Sequence, residues 1–411
     1  MNAALRPPEG AIFDFFKEWA SVQNWRSDMP VYTPQREAIQ QHLGLDLADE
    51  DGFLDPYNTH PPTANLFAIP FSWQSYPDAH FAWNVASLIL FAVSLIWIAQ
   101  EIGVSINGTV LLGVATVLLA SDPLKQSLIQ GQPNLLLAFF ITLAWRANRR
   151  GHSWLSGASL AIAAMIKIYP AYLFLYALAR RDWKAIAGGA LAGIAITALT
   201  AGVFGVDAYR DYVQTVLPEL RSVTNNWGNS SLLAFWERLL GEPVATVTPI
   251  TTSPLALKST VWASWLAITI VAARRCWNAH TQSRRDASFA TVVLAMLLMS
   301  PTTWHHYFVL TAIPVAIALT QTTPASWKRA ASWVALLALT LAPRLIWAVL
   351  IQGASDATPP ADATANFWEN GGRVAQPWQS LTALSYQMYA LLTLISVLSL
   401  QLTADTRPDQ Q

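Results

Sequence analysis

Runs such as FAWNVASLILFAVSLIWIA, from Phe81 to Ala99, recur along this chain. Each is about 15–22 residues, near the length a helix needs to cross the hydrocarbon core of a bilayer. Backbone polar groups in lipid must be satisfied internally, so only helices or a closed barrel can span. The runs do not alternate apolar with polar residues, which removes the barrel. Of 411 residues, 53% are hydrophobic and 12% charged, against roughly 25% charged in a soluble domain; mean hydropathy is +0.33. The expected fold is therefore all-α, a polytopic helical membrane protein with one integral membrane domain over 1–411. Net charge is zero, so nothing points to a nucleic-acid partner. The single cysteine, Cys276, forms no internal disulfide. The opening MNAALRPPEGAIFDFF lacks the sustained apolar core of a secretory signal.

Basic residues cluster in short loops: Arg146, Arg149 and Arg150; Arg180, Arg181 and Lys184; Arg274, Arg275, Arg284 and Arg285; Lys328 and Arg329. The positive-inside rule makes these loops cytoplasmic. Spans are then expected at roughly 81–100, 107–121, 133–146, 153–167, 168–179, 184–204, 257–273, 287–300, 306–321, 330–350 and 381–402, about eleven in all. That count puts the C-terminus inside and the N-terminus outside, which leads to the expectation of a missing first helix and about twelve spans once it is restored. The polar segments all fall outside: 1–80 with interfacial helices, Ser121–Asn134, 204–257, Ser300–Tyr307 and 344–380.

AMIKIYPAYLFLYALARR, from Ala164 to Arg181, places a lysine and a proline inside an apolar run. Arg150 and Arg180 must share a side, so the residues between them form two short helices rather than one. Pro170 disfavours helical geometry before it and removes a backbone donor, which sets the break near Lys-Ile-Tyr-Pro. Lys167 then lies at membrane level on the outer side, where an ionisable residue is a functional candidate; the bland alternative is a lysine snorkelling to the interface.

Other candidates each have a plainer reading. Asp14, among Phe13, Phe15 and Phe16, is a carboxylate against apolar surface, suited to a general base, or an N-cap, the simpler reading from the residues alone. Asp49-Glu50-Asp51 holds a D-x-D pattern in an acidic run that reads better as a solvated loop. His305 and His306 are adjacent and so a poor chelating pair, though one could donate to a phosphate while the other packs. Gln132 and Asn134 offer amide donors to a hydroxyl-rich ligand, or merely start a helix. Asn225 to Ser230, NNWGNS, suits sugar binding or an ordinary loop. Lys125 and Arg344 join Lys167 as partners for an anion. A P-loop, a dinucleotide fingerprint, H-E-x-x-H and a nucleophile elbow are all absent from the sequence, which disfavours nucleotide-driven chemistry and zinc proteolysis.

The blocks DFFKEW, MPVYTP, HPPTANLFAIPF, SDPLKQSLIQGQPNLLLAFFITLAW, MIKIYPAYLFLYALARRDWKA, YRDYVQTVLPELRSVTNNWGNSSLLAFWERLL and SPTTWHHYFVLTAIP follow in that order. The series resembles glycosyltransferase family 87, the polyprenyl-phosphate-mannose-dependent mannosyltransferases of the GT-C fold, from about Asp14 to Pro314. The resemblance implies a sugar donor on a lipid phosphate and a glycolipid or cell-envelope glycan acceptor. It implies inverting transfer on the extracytoplasmic face of a bacterial plasma membrane, with no cofactor; a cradle of Lys167 and one of His305 or His306 could replace a metal, so metal independence is expected. Asp14 is then the general base. Lys167, His305, His306 and Arg344 are expected on the donor phosphate, and His60, Gln132, Asn134, Tyr169, Asn229 and Trp304 on the substrates. The chain departs from the family at Phe16-Lys17, where paired aromatics are usual, and at Gln35–Asp55. A lipid transporter or flippase, and a non-catalytic envelope assembly protein, are the competing readings.

Overall fold

The computed structural model describes residues 5–8, 10–46, 55–219, 226–243, 247–323, 326–343 and 375–404. Arg344, most of the 344–380 loop, Asn225 and the D-x-D at Asp49–Asp51 lie outside the described residues. The described chain is helical, with no strand beyond an isolated bridge between Val247 and Ala375. It divides into two compact units, residues 1–101 with 125–222, and 102–124 with 223–411.

Four helical segments are long and apolar enough to cross a membrane: Tyr76–Glu101, Trp183–Phe204, Pro254–Trp277 and Pro377–Leu400. A fifth candidate is the pair Asp122–Gln130 and Asn134–Arg149, bent by 117°. Shorter apolar helices cover Leu111–Ala120, Ser153–Ile166, Tyr169–Ala179 and His305–Thr320. The chain is thus a helical membrane protein, with several of the expected spans present as helices too short to cross a bilayer alone.

In the first unit, Trp183–Phe204 starts at Asp182, whose side chain accepts from the Ala185 N–H at 3.1 Å, and stops at Gly205, where φ is +83°. Its Leu191, Ile194 and Leu199 are exposed, as a lipid-facing surface requires. Its other face packs backbone-close on Ser153–Ile166. A Cβ on Gly157 would run into the Ala185 carbonyl, and one on Gly188 would stand 2.5 Å from the Trp154 oxygen. Small residues permit this approach, which gives membrane helices their dispersion contacts in place of a hydrophobic driving force. Gly157→Val is therefore expected to cost about 1–3 kcal/mol through overpacking, read as earlier thermal unfolding in detergent; an unchanged transition would show that the two helices can separate freely.

Ser153–Ile166 ends at Lys167, which adopts extended backbone (φ −138°, ψ 141°). A 3-10 turn, Tyr169–Leu173, and the helix Phe174–Ala179 follow. The break therefore falls at Lys167 itself, just ahead of Tyr169-Pro170. The Asp182 carboxylate accepts from Ser153 Oγ at 2.9 Å, and the Tyr176 hydroxyl donates to Asn148 Oδ1 at 3.0 Å. The chain thus returns to the end it started from, as the loop charges required. Glu101 meets Arg146, Arg149 and Arg150 at 3.2, 3.1 and 2.9 Å, so this helix end too has its charges paired.

In the second unit Gln282–Met299 is the core helix, buried from Asp286 to Leu298, and packs against Pro254–Trp277 and Tyr386–Ala404. Arg238 is fully buried and donates to the carbonyls of Asn226 and Asn229 at 3.2 and 2.8 Å and to Ser385 Oγ at 3.3 Å. Burial pushes its guanidinium down to about 10.

Candidate active site

Asp14 stands at the N-cap position of the helix Phe15–Arg26, yet its side chain makes no capping hydrogen bond. It turns elsewhere. Oδ1 lies 3.0 Å from the Lys17 ammonium, one turn on, and Oδ2 accepts from Gln132 Nε2. The other end of the Gln132 amide accepts from Lys167 Nζ at 2.7 Å, and Asn134 Oδ1 is 3.5 Å from the same ammonium. One buried amide therefore joins a carboxylate and a lysine 118 and 35 residues away from it. Lys167 is 6% exposed, so its ammonium is inside the protein rather than snorkelling. Both amides are neutral; they orient the ammonium without cancelling its charge. The Asp14 side chain remains 31% exposed, open to a ligand.

The neighbours fix these groups. The Phe13 N–H donates to the Tyr76 hydroxyl at 2.8 Å, pinning the chain just before Asp14. Phe15 just after it stacks on Trp83 at 5.1 Å and meets the His80 ring edge-on at 5.8 Å. Gln132 is delivered by a turn at Gly131, where φ is +64° and the carbonyl accepts from Trp83 Nε1 at 2.7 Å. A Cβ at Gly131 would stand 2.5 Å from Phe15 Cβ and 2.9 Å from His80 Nε2, so glycine is required here by conformation and by space. Gly131→Ala is expected to push Phe15, and with it Asp14, off position, and a shift of this kind costs up to about 100-fold in rate. Initial rates with a folded, monodisperse variant measure it; a rate within threefold of wild type would remove Gly131 from this role.

Two contacts here escaped the sequence. Lys17 also pairs with Asp55, and the Glu18 carboxylate pairs with His60 Nδ1. Burial alone would lower the Lys17 ammonium, but Asp14 and Asp55 outweigh it and hold it above the ordinary lysine range. The signal available for Lys17 was its i,i+3 spacing from Asp14; nothing local pointed to Asp55 or Glu18. His60 belongs to a buried network beside the carboxylate helix: its carbonyl accepts from the Tyr32 hydroxyl at 2.7 Å and its N–H donates to Asn58 Oδ1 at 3.0 Å. Tyr169 opens the 3-10 turn after Lys167, and Lys125 is exposed on Asp122–Gln130.

The remaining sequence candidates belong to the second unit. His305 and His306 are buried in the 3-10 helix His305–Thr311, and His305 Nε2 lies 3.6 Å from Asp122 Oδ2. Trp304 precedes that helix, half-buried. Asn229 is fully buried, and its amide laces loops together, Nδ2 donating to the Pro301 carbonyl at 2.9 Å and Oδ1 accepting from the Thr303 N–H at 2.8 Å. That makes it a support for the Ser300–Trp304 loop. Among the described residues no three His, Cys, Asp or Glu side chains gather as a metal-binding set.

Residues 58–301 match the sequence profile of glycosyltransferase family 87. The chain belongs to that family. The matched region of this family 87 glycosyltransferase takes in Gln132, Asn134 and Lys167 and begins downstream of Asp14. One relative is the polyprenol-phosphate-mannose-dependent alpha-(1-2)-phosphatidylinositol mannoside mannosyltransferase of Mycobacterium tuberculosis, 24% identical over 370 residues, 86% of this chain and 78% of that protein. The protein of the same description in Mycolicibacterium smegmatis is 26% identical over 301 residues, covering 69% and 65%. A phosphatidylinositol pentamannoside mannosyltransferase of M. smegmatis is 26% identical over 259 residues, covering 61% and 58%. The family 87 glycosyltransferase thus spans less than two thirds of the second and third of these relatives.

Proposed function

We propose that this glycosyltransferase moves a mannosyl residue from a polyprenyl-phosphate donor to a glycolipid or cell-envelope glycan acceptor, by inverting displacement. The Asp14–Gln132–Lys167 chain carries the reading, because it sets a part-exposed carboxylate and a buried ammonium at the two ends of one amide. Donor and acceptor classes follow the activities named for the three relatives.

In the reaction, Asp14 takes the proton of an acceptor hydroxyl. Its side chain is 31% exposed, which gives that hydroxyl access to the carboxylate. The hydroxyl oxygen attacks the anomeric carbon, the bond from that carbon to the phosphate oxygen breaks, and its electron pair leaves with the polyprenyl phosphate. Lys167, already oriented, meets the charge that develops on the leaving oxygen, where a fixed cation acts most strongly. Gln132 keeps base and cation in register. We place the centre on the extracytoplasmic side of a bacterial plasma membrane, in a GT-C-type helical body of about eleven spans with a cytoplasmic C-terminus; the distribution of Lys and Arg among short loops supports this orientation.

The test is incubation of the purified protein in lipid with polyprenyl-phosphate-mannose and candidate glycolipids, with product mass as readout. Acceptor gain of one hexose supports the reading. Turnover of the donor to free sugar alone, or no product with any acceptor, contradicts it.

A further inference from the structure

Building on Asp14 as the base proposed above, we propose that Lys17 and Asp55 set the pH range in which that base works. Lys17 steadies the ionised carboxylate, and Asp55 draws part of the same ammonium away from it.

The geometry is a shared cation. Lys17 Nζ lies 3.0 Å from Asp14 Oδ1 and also bonds Asp55 Oδ2, which arrives from a segment 38 residues further on. The lysine side chain is 9% exposed, while the two aspartates are 31% and 40% exposed, so the charge is shielded and its partners are not. Among the described residues, the other charged or titratable groups near Asp14 include Glu18 on its own helix, Tyr76 and His80 on Tyr76–Glu101, and Lys167 beyond Gln132. Lys17 is in direct ionic contact with the carboxylate.

Two substitutions at this site must then act with opposite sign. An opposite charge within about 4–6 Å shifts a carboxylate by roughly 1–3 pH units toward the ionised form. Removing the ammonium leaves Asp14 and the Asp55 carboxylate without the cation they share, and favours the protonated form of Asp14. Removing the Asp55 charge leaves Lys17 to Asp14 alone and favours the ionised form. Lys17 itself titrates above the ordinary lysine range, so it stays charged through the acid limb and cannot produce that limb.

The experiment is the pH profile of kcat/KM for polyprenyl-phosphate-mannose in wild type, Lys17→Met and Asp55→Asn. It is paired with an infrared titration of the Asp14 carboxyl, isolated by subtracting Asp14→Asn from ¹³C-aspartate-labelled protein. Lys17→Met is expected to move the acid limb up by about 1 pH unit or more, Asp55→Asn to move it down, and the infrared midpoint to follow both. Should Lys17→Met not fold, the downward shift in Asp55→Asn decides the matter. Stationary limbs, shifts of the same sign, or a loss of rate uniform across pH would overturn the proposal. If Asp14→Asn transfers sugar at the wild-type rate, the base assignment fails; the infrared midpoints then still report whether Lys17 governs the Asp14 proton.

Discussion

Asp14→Asn is expected to lower sugar transfer by about 10²–10⁴-fold, the usual contribution of a positioned general base. The substitution nearly preserves shape, and Lys17 keeps Asp55 as an ionic partner, so the fold should survive. What disappears is the capacity to accept a proton as the acceptor hydroxyl attacks. The loss should therefore appear in kcat, with the donor bound as before, because the proposed donor contact, Lys167, stands at the other end of the Gln132 amide. Initial rates with saturating donor, alongside donor binding in lipid nanodiscs, separate the two. A kcat within threefold of wild type would strip Asp14 of its role.

Lys167→Met should be nearly as damaging, by a different route. A fixed cation at a leaving group is worth about 10²–10³ in rate, and the ammonium also holds Gln132 by a 2.7 Å hydrogen bond. Methionine fills similar volume but leaves the buried Gln132 oxygen without that donor, at about 1–3 kcal/mol for an unsatisfied group. Transfer should fall while binding of polyprenyl phosphate weakens, a pairing that Asp14→Asn should not show. Lys167→Arg is expected not to restore activity, since a planar fork does not replace a compact ammonium between two amides. Full activity in Lys167→Met would place the leaving-group charge elsewhere.

How far the sequence led depends on whether the deciding force was local. The break at Lys167 was legible because two basic turns had to share one end, and the hydrogen bonds from Ser153 and Asn148 to Asp182 now hold those turns together. Gln132 and Asn134 were legible as amide-bearing residues after Gly131 in the polar segment Ser121–Asn134. Asp14 stood out as a carboxylate among phenylalanines, but the residues alone read more simply as a cap and only the resemblance favoured a base; its missing cap bond is a fact of tertiary structure. Lys17–Asp55 and Glu18–His60 join residues 38 and 42 positions apart, with no periodic pattern linking them. The number of full-length spans was the least legible feature. Hydropathy marks apolar stretches, but a stretch such as Ala312–Thr320 is as apolar as a long span and only nine residues long.

The central claim is that the Asp14 carboxylate and the Lys167 ammonium serve one sugar-transfer centre. A cryo-EM map of the protein in lipid with bound polyprenyl-phosphate-mannose tests it most directly. The account requires the phosphate within salt-bridge reach of Lys167 Nζ, about 3 Å, and the anomeric carbon turned toward Asp14. A phosphate held away from Lys167, or a sugar whose anomeric carbon faces away from Asp14, would contradict it.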